Sequence, residues 1–143
     1  MKNINLFVYG SLREGFFNYD KYLLGKVSKN IDAKLTNMRL YHMPYKGYPA
    51  ITHGEDEVFG EIIVKDEDQY EDTMEAMDEM EGFISENNPE NEYHKVILEV
   101  ENLETNEKEK CFVYFYNKDK DEHFEEGSVY IPHGDWKKYM ISK

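Results

Sequence analysis

Two apolar runs joined by a short polar link do most to fix what this chain can become. From Tyr93 to Val100, the side chains of Tyr93, Lys95, Ile97 and Glu99 fall on one face and those of His94, Val96, Leu98 and Val100 on the other. That period of two suits a half-buried strand. Asn102 to Lys108 is polar and of hairpin length, and Cys111 to Phe115 follows as a second β-branched and aromatic run. An antiparallel pair is therefore predicted in the C-terminal half. Runs of the same kind predict strands at Ile4 to Val8, Asn37 to His42 and Val58 to Val64.

Three helices complete the expected elements: a short one at Asn18 to Leu24, a long one at Asp66 to Glu81, and a brief C-terminal one opened by Gly134-Asp135-Trp136. In the long helix Asp66 is placed to cap the start with Gln69 as its partner, and Gly82 stands where a left-handed C-terminal residue is expected. Tyr70, Met74 and Met77 follow i, i+4, i+7 spacing, while Glu71, Asp72, Glu75 and Glu79 fall elsewhere on the wheel. Glu81, eleven residues after Tyr70, returns at about 100° per residue to within about 20° of it, on the apolar stripe. The other acidic side chains after the first turn lie about 80° or more away. Either Glu81 is an inward carboxyl, whose pKa burial and the helix dipole would both raise, or it belongs to a frayed last turn and faces water.

At 143 residues the chain has the length of one domain. No repeat or Pro, Gly or Ser tract divides it, so residues 1–143 are read as a single unit. The single cysteine, Cys111, lies in an apolar run and is read as a small buried hydrophobe, which fits a reducing, cytoplasmic setting. The start, Met1-Lys2-Asn3-Ile4, reads as neither signal peptide nor membrane span. With 30 acidic against 17 basic side chains the formal charge is -13, a field that repels phosphodiester backbones. Nucleic acid and membranes are therefore not expected partners. The acidic runs Glu55 to Glu57, Asp66 to Glu81 and Glu86 to Glu109 are read as solvated surface.

Tyr9-Gly10-Ser11-Leu12 follows the first strand directly. If Gly10 takes a positive φ, the following N–H groups can converge on a small anion or a developing oxyanion; otherwise Gly10-Ser11 simply ends a strand. Ser11 lacks a G-x-S-x-G setting and is read as a hydrogen-bonding group, not a nucleophile. Arg13, with Glu14 and Gly15, is assigned to a solvated turn, with contact to a substrate carboxylate as the alternative. His42, His53, His94, His123 and His133 are scattered without metal-binding spacing, and surface or loop positions are expected for them.

Tyr9-Gly10-Ser11-Leu12-Arg13 and Met77-Asp78-Glu79-Met80-Glu81-Gly82-Phe83 together resemble the γ-glutamylcyclotransferase-like superfamily, which includes γ-glutamylamine cyclotransferases. Gly47-Tyr48-Pro49-Ala50-Ile51 is similar to the family's GYPA loop, Val58-Phe59-Gly60-Glu61 to its V-x-G-E strand, and Tyr93 to Val100 to the strand after its acidic helix. Ile131-Pro132-His133-Gly134-Asp135-Trp136 is similar to a C-terminal pattern of bacterial relatives. The resemblance implies an α+β fold, a compact mixed β-barrel flanked by helices with a cavity at one end. It implies that Tyr9, Gly10, Ser11 and Leu12 hold a γ-glutamyl substrate and that Glu81 is catalytic. Tyr93 and Tyr114 are implied as pocket tyrosines, with satisfied core aromatics as the alternative.

The activity implied is internal aminolysis of a γ-glutamyl amide or γ-glutamylamine, releasing 5-oxoproline and an amine, with no metal or cofactor. The expected assembly is a monomer or weak homodimer. Two other functions fit the same chain: a non-catalytic small-molecule binding module, and an acidic protein-interaction domain using the Glu-rich helix. Ile84 to Glu92 departs from the family pattern; long, polar and carrying Pro89, it is expected to be a mobile loop or lid beside the pocket.

Overall fold

In the computed structural model, residues 4–10, 12–13, 17–23, 25, 27–65, 70–86 and 88–141 are described. Six strands occur among them: β1 (Asn5–Val8), β2 (Val27–Met43), β3 (Tyr48–Lys65), β4 (Tyr93–Asn102), β5 (Lys108–Tyr116) and β6 (Val129–Ile131). The helices are α1 (Phe17–Tyr22), α2 (Tyr70–Met80), α3 (Phe124–Gly127) and α4 (Trp136–Ile141). Hydrogen bonding runs β3-β1-β5-β4-β2, and β2 pairs again with β3, which closes a five-stranded barrel with β6 added outside on β2. β1 and β5 run parallel, with Leu6 beside Phe112, and the other neighbours are antiparallel. This is the expected α+β, mixed-barrel fold. None of the described helices is long and apolar enough to cross a membrane.

The predicted β4–β5 hairpin forms in register from Tyr93 opposite Tyr116 to Glu101 opposite Lys108. Its turn is built by Asn102, whose Oδ1 accepts the N–H groups of Glu104 and Thr105, and by Asn106, which takes a left-handed φ of 61°. Asn tolerates that conformation better than most side chains.

β2 and β3 extend far beyond the predicted Asn37 to His42 and Val58 to Val64. From Ile31 to Leu35 every second residue is buried, a period of two that polar neighbours obscured. Asn37, at φ 61°, sits in a register shift between Thr36 and Arg39, and this bulge bends the long hairpin. The N-terminal half of β2 thereby helps close the barrel against β4, and its C-terminal half pairs with β6. At the tip, Gly47 takes φ 84° and the Met43 carbonyl accepts the N–H groups of Lys46 and Gly47.

Two apolar clusters follow from this closure. One, around Phe7, Ile51, Ile62 and Val113, fills the barrel, and the lone Cys111 is buried within it. The other, around Leu6, Val8, Ile63 and Met77, lies between the barrel wall and α1 and α2. Alternation along β1 sends Phe7 into the first and Leu6 and Val8 into the second. Both faces of β1 are thus covered, and its C-terminal end delivers the Tyr9-Gly10 turn to the foot of α2.

Candidate active site

α2 buries Thr73, Met74 and Met77 against the barrel, and Tyr70 donates its hydroxyl to the Ile4 carbonyl at 2.7 Å. The helix ends in a Schellman motif. Phe83 N–H donates to the Asp78 carbonyl and Gly82 N–H to that of Glu79, with Gly82 at φ 69°. Glu81 is therefore the C-terminal cap of α2, its own N–H still bonded to the Met77 carbonyl. The last turn is secured at the point where fraying was the alternative.

That cap faces a cavity of about 80 Å³, room for several waters at about 10–15 Å³ each. Of the residues singled out in the sequence, Tyr9, Gly10, Leu12, Glu81, Tyr93 and Tyr114 all line it, and Ser11 lies outside the described residues. Phe7, Val8, Tyr48, Pro49, Met80 and Glu92 complete the wall. Tyr48 and Pro49 belong to a noted motif, but nothing in the sequence distinguished Glu92 from Glu86 or Glu90 except its place before Tyr93.

The cavity's tyrosine protons are all committed. Tyr9 donates to the Tyr114 carbonyl at 2.6 Å, Tyr93 to the Pro49 carbonyl at 2.6 Å, Tyr114 to Asp78 Oδ1 at 2.6 Å and Tyr48 to Glu92 Oε2 at 3.2 Å. Burial, and then the charge of Glu81, pushes the Tyr9 hydroxyl pKa well above its ordinary value. Burial is also the largest cause at Tyr93 and Tyr114, followed by Tyr9 at the first and by the bond to Asp78 at the second. These phenols stay neutral at working pH.

Glu81 accepts no hydrogen bond from the other described residues. Burial, and then the neighbouring charge of Glu92, raises its pKa to about 8. A carboxyl lodged among aromatic rings and poised near neutrality is equipped to take and return a proton.

Gly10 corrects one expectation. It is not among the residues with positive φ; its need is close approach, since a Cβ there would lie 2.5 Å from Pro49 Cγ. Gly60 is required on similar grounds, because a Cβ would overlap the Val8 carbonyl oxygen where β1 meets β3. Arg13 is a second correction. Instead of a solvated turn it is buried, with Nε 3.4 Å from Glu61 Oε2 and a terminal nitrogen 2.8 Å from Asp135 Oδ1. Glu61 also accepts from Asn30 Nδ2 at 3.2 Å, and Asp135 caps α4 through the Lys138 N–H. Arg13 thus ties the Tyr9-Gly10 turn to the V-x-G-E strand and the C-terminal helix.

Two further expectations change. His42 is a core residue, accepting from Trp136 Nε1 at 3.1 Å, not a surface or loop histidine. The described residues of the Ile84 to Glu92 segment, 84–86 and 88–92, are stitched down, in contrast to a free lid. Asn91, fully buried, accepts the N–H groups of Ile84 and Ser85 and donates to the Ser85 carbonyl, while Glu92 N–H donates to the Gly82 carbonyl at 3.0 Å. Asn117 Nδ2 donates to the carbonyls of Pro89 and Asn91.

The sequence profile of the family described as Gamma-glutamyl cyclotransferase, AIG2-like, matches residues 6–138. The chain belongs to that family. Among solved structures of similar fold, YkqA from Bacillus subtilis is 27% identical, with a TM-score of 0.66, over 99% of this chain and 42% of YkqA. This γ-glutamyl cyclotransferase-family chain therefore spans under half the length of YkqA. The structure of At3g28950.1 from Arabidopsis thaliana is 24% identical, TM-score 0.66, over 99% of this chain and 75% of its own. PH0828 from Pyrococcus horikoshii is 20% identical, TM-score 0.62, over 98% and 95%. The last two share the fold. No curated protein sequence matches the chain.

Proposed function

We propose that this chain cyclises a γ-glutamyl amide or γ-glutamylamine, releasing 5-oxoproline and an amine, with Glu81 as general base and then general acid. The observation that carries it is the Glu81 carboxyl, without a hydrogen-bond partner among the described residues and with its pKa raised to about 8, in one cavity with the Tyr9-Gly10 turn. Membership of the family supports the same reading.

The reaction joins two ends of one molecule. The substrate's α-ammonium gives a proton to the Glu81 carboxylate, and the freed amine attacks the γ-carbonyl carbon, forming the ring C–N bond and a tetrahedral oxyanion. Collapse of that intermediate breaks the original amide C–N bond as Glu81 returns the proton to the leaving nitrogen, and the surplus proton of the ring nitrogen then passes through the freed Glu81 carboxylate to the released amine, which departs as an ammonium. Holding a near-attack conformer is the main task, and no covalent enzyme intermediate is required. An α-amino group titrates near about 8, close to the value for Glu81, so proton transfer in either direction is nearly balanced. To the turn carrying Tyr9, Gly10 and Leu12 we assign the grip on the substrate.

Wild type and Glu81→Gln incubated with a panel of γ-glutamyl amides, with 5-oxoproline followed, test the proposal. Gln keeps the shape without the proton, so a loss of about 10²–10⁴-fold is expected. Equal turnover would remove Glu81 from the mechanism. Binding without turnover by either protein would move the assignment to a small-molecule binding module.

A further inference from the structure

The cavity holds two carboxylates, and the proposed chemistry uses one. Glu92 belongs to the segment that departs from the family pattern, yet its position is closely fixed. Its N–H donates to the Gly82 carbonyl at 3.0 Å, and a Cβ on Gly82 would lie 2.9 Å from Glu92 Cβ. The residue after Glu81 is thus packed against Glu92. The Glu92 carboxylate is pinned at Oε2 by Lys46 Nζ at 2.8 Å and by the Tyr48 hydroxyl at 3.2 Å. Lys46 comes from the β2–β3 turn, so three separate parts of the chain meet at the cavity wall.

We propose that Glu92 is a positioning residue of this site, a second carboxylate fixed by Lys46 and Tyr48 that acts through Glu81 by its charge. The inference rests on the role given to Glu81 above. Among the described residues, the titratable groups facing Glu81 are Tyr9 from the turn after β1, Tyr48 from β3, Tyr93 from β4, Tyr114 from β5 and Glu92 from the loop before β4. On its own helix Asp78 points to Tyr114 and Lys95 and does not line the cavity. The tyrosines are neutral near pH 7, which leaves Glu92 as the charged neighbour within the described cavity wall. Its negative charge disfavours the ionised form of Glu81, and Lys46, paired with Glu92 at 2.8 Å, tempers that effect.

Charge and shape make opposite predictions for two variants. Glu92→Gln keeps the volume and removes the repulsion, so the titration midpoint of Glu81 falls. Lys46→Met leaves Glu92 unneutralised, so the midpoint rises, and the double variant behaves like Glu92→Gln. The midpoint is read directly by NMR of the Glu81 carboxyl carbon, and again as the acid limb of kcat/KM for 5-oxoproline release. A fall of the midpoint from about 8 by one pH unit multiplies the ionised fraction at pH 6 by about nine. An unchanged midpoint in Glu92→Gln, or a fall in both single variants, overturns the proposal. Should Glu92→Gln fail to fold, the rise expected in Lys46→Met decides alone. Absence of turnover on every substrate would count against cyclisation, while the NMR titration would still report whether Glu92 controls Glu81.

Discussion

Replacing Glu81 by Gln should make the protein more stable, and by an amount that grows with pH. The folded-state pKa lies above the unfolded one, so the wild-type folded chain holds a proton that the unfolded chain releases as pH rises. Below about pH 4.5 both states are protonated and Gln is a close mimic. Between 4.5 and about 8 the wild type loses stability progressively, and above 8 the full cost of an ionised carboxylate in the cavity is present. A rise from 4.5 to about 8, at about 1.4 kcal/mol per pH unit, bounds that cost at about 5 kcal/mol. Glu81 keeps partial contact with solvent, and screening reduces the expected gain to about 2–3 kcal/mol. In a chain of this length that corresponds to a melting temperature higher by roughly 6–9 °C at pH 9. Thermal and guanidinium unfolding of both proteins at pH 4, 6.5 and 9 would measure it. A difference that stays constant with pH, or a wild type more stable than the variant at pH 9, would refute the burial argument.

Gly10→Ala places a Cβ against Pro49, so the turn must move; we expect KM for the γ-glutamyl amide to rise at least tenfold, with a stability loss of about 1–3 kcal/mol, read by steady-state kinetics and urea unfolding. Asn91→Ala removes the buried amide that ties Ile84 and Ser85 to the loop end. It should cost about 2–3 kcal/mol and speed proteolytic nicking between residues 84 and 92, with unchanged cleavage rates counting against the stitched loop.

How far the sequence discloses the molecule depends on what each residue's role requires. The β4–β5 hairpin was legible because its alternation and its polar turn are local signals. Glu81 was legible by phase: a wheel of known pitch fixes which carboxylate returns to the apolar stripe, and Gly82 marks where the wheel stops. The length of β2 and β3 was not, since strands in a closed barrel extend through polar residues when a partner supplies the ladder. β6, three residues long, depends on the edge of β2 rather than on its own composition. Arg13 and Glu61 are separated by 48 positions and look like surface charges until the fold buries them together. Glu92 illustrates the limit most clearly, because the groups that fix it come from the β2–β3 turn, from β3 and from Gly82 just after α2, and nothing local distinguishes it from other glutamates nearby.

The committed phenols have one more consequence. Because Tyr9, Tyr48, Tyr93 and Tyr114 each direct their hydrogen away to an acceptor of the protein, these four rings offer a guest their oxygen lone pairs and no hydrogen. They receive N–H bonds and give none. A tight inhibitor would therefore turn its N–H groups toward the rings, and an isosteric ether in place of such an N–H should bind poorly.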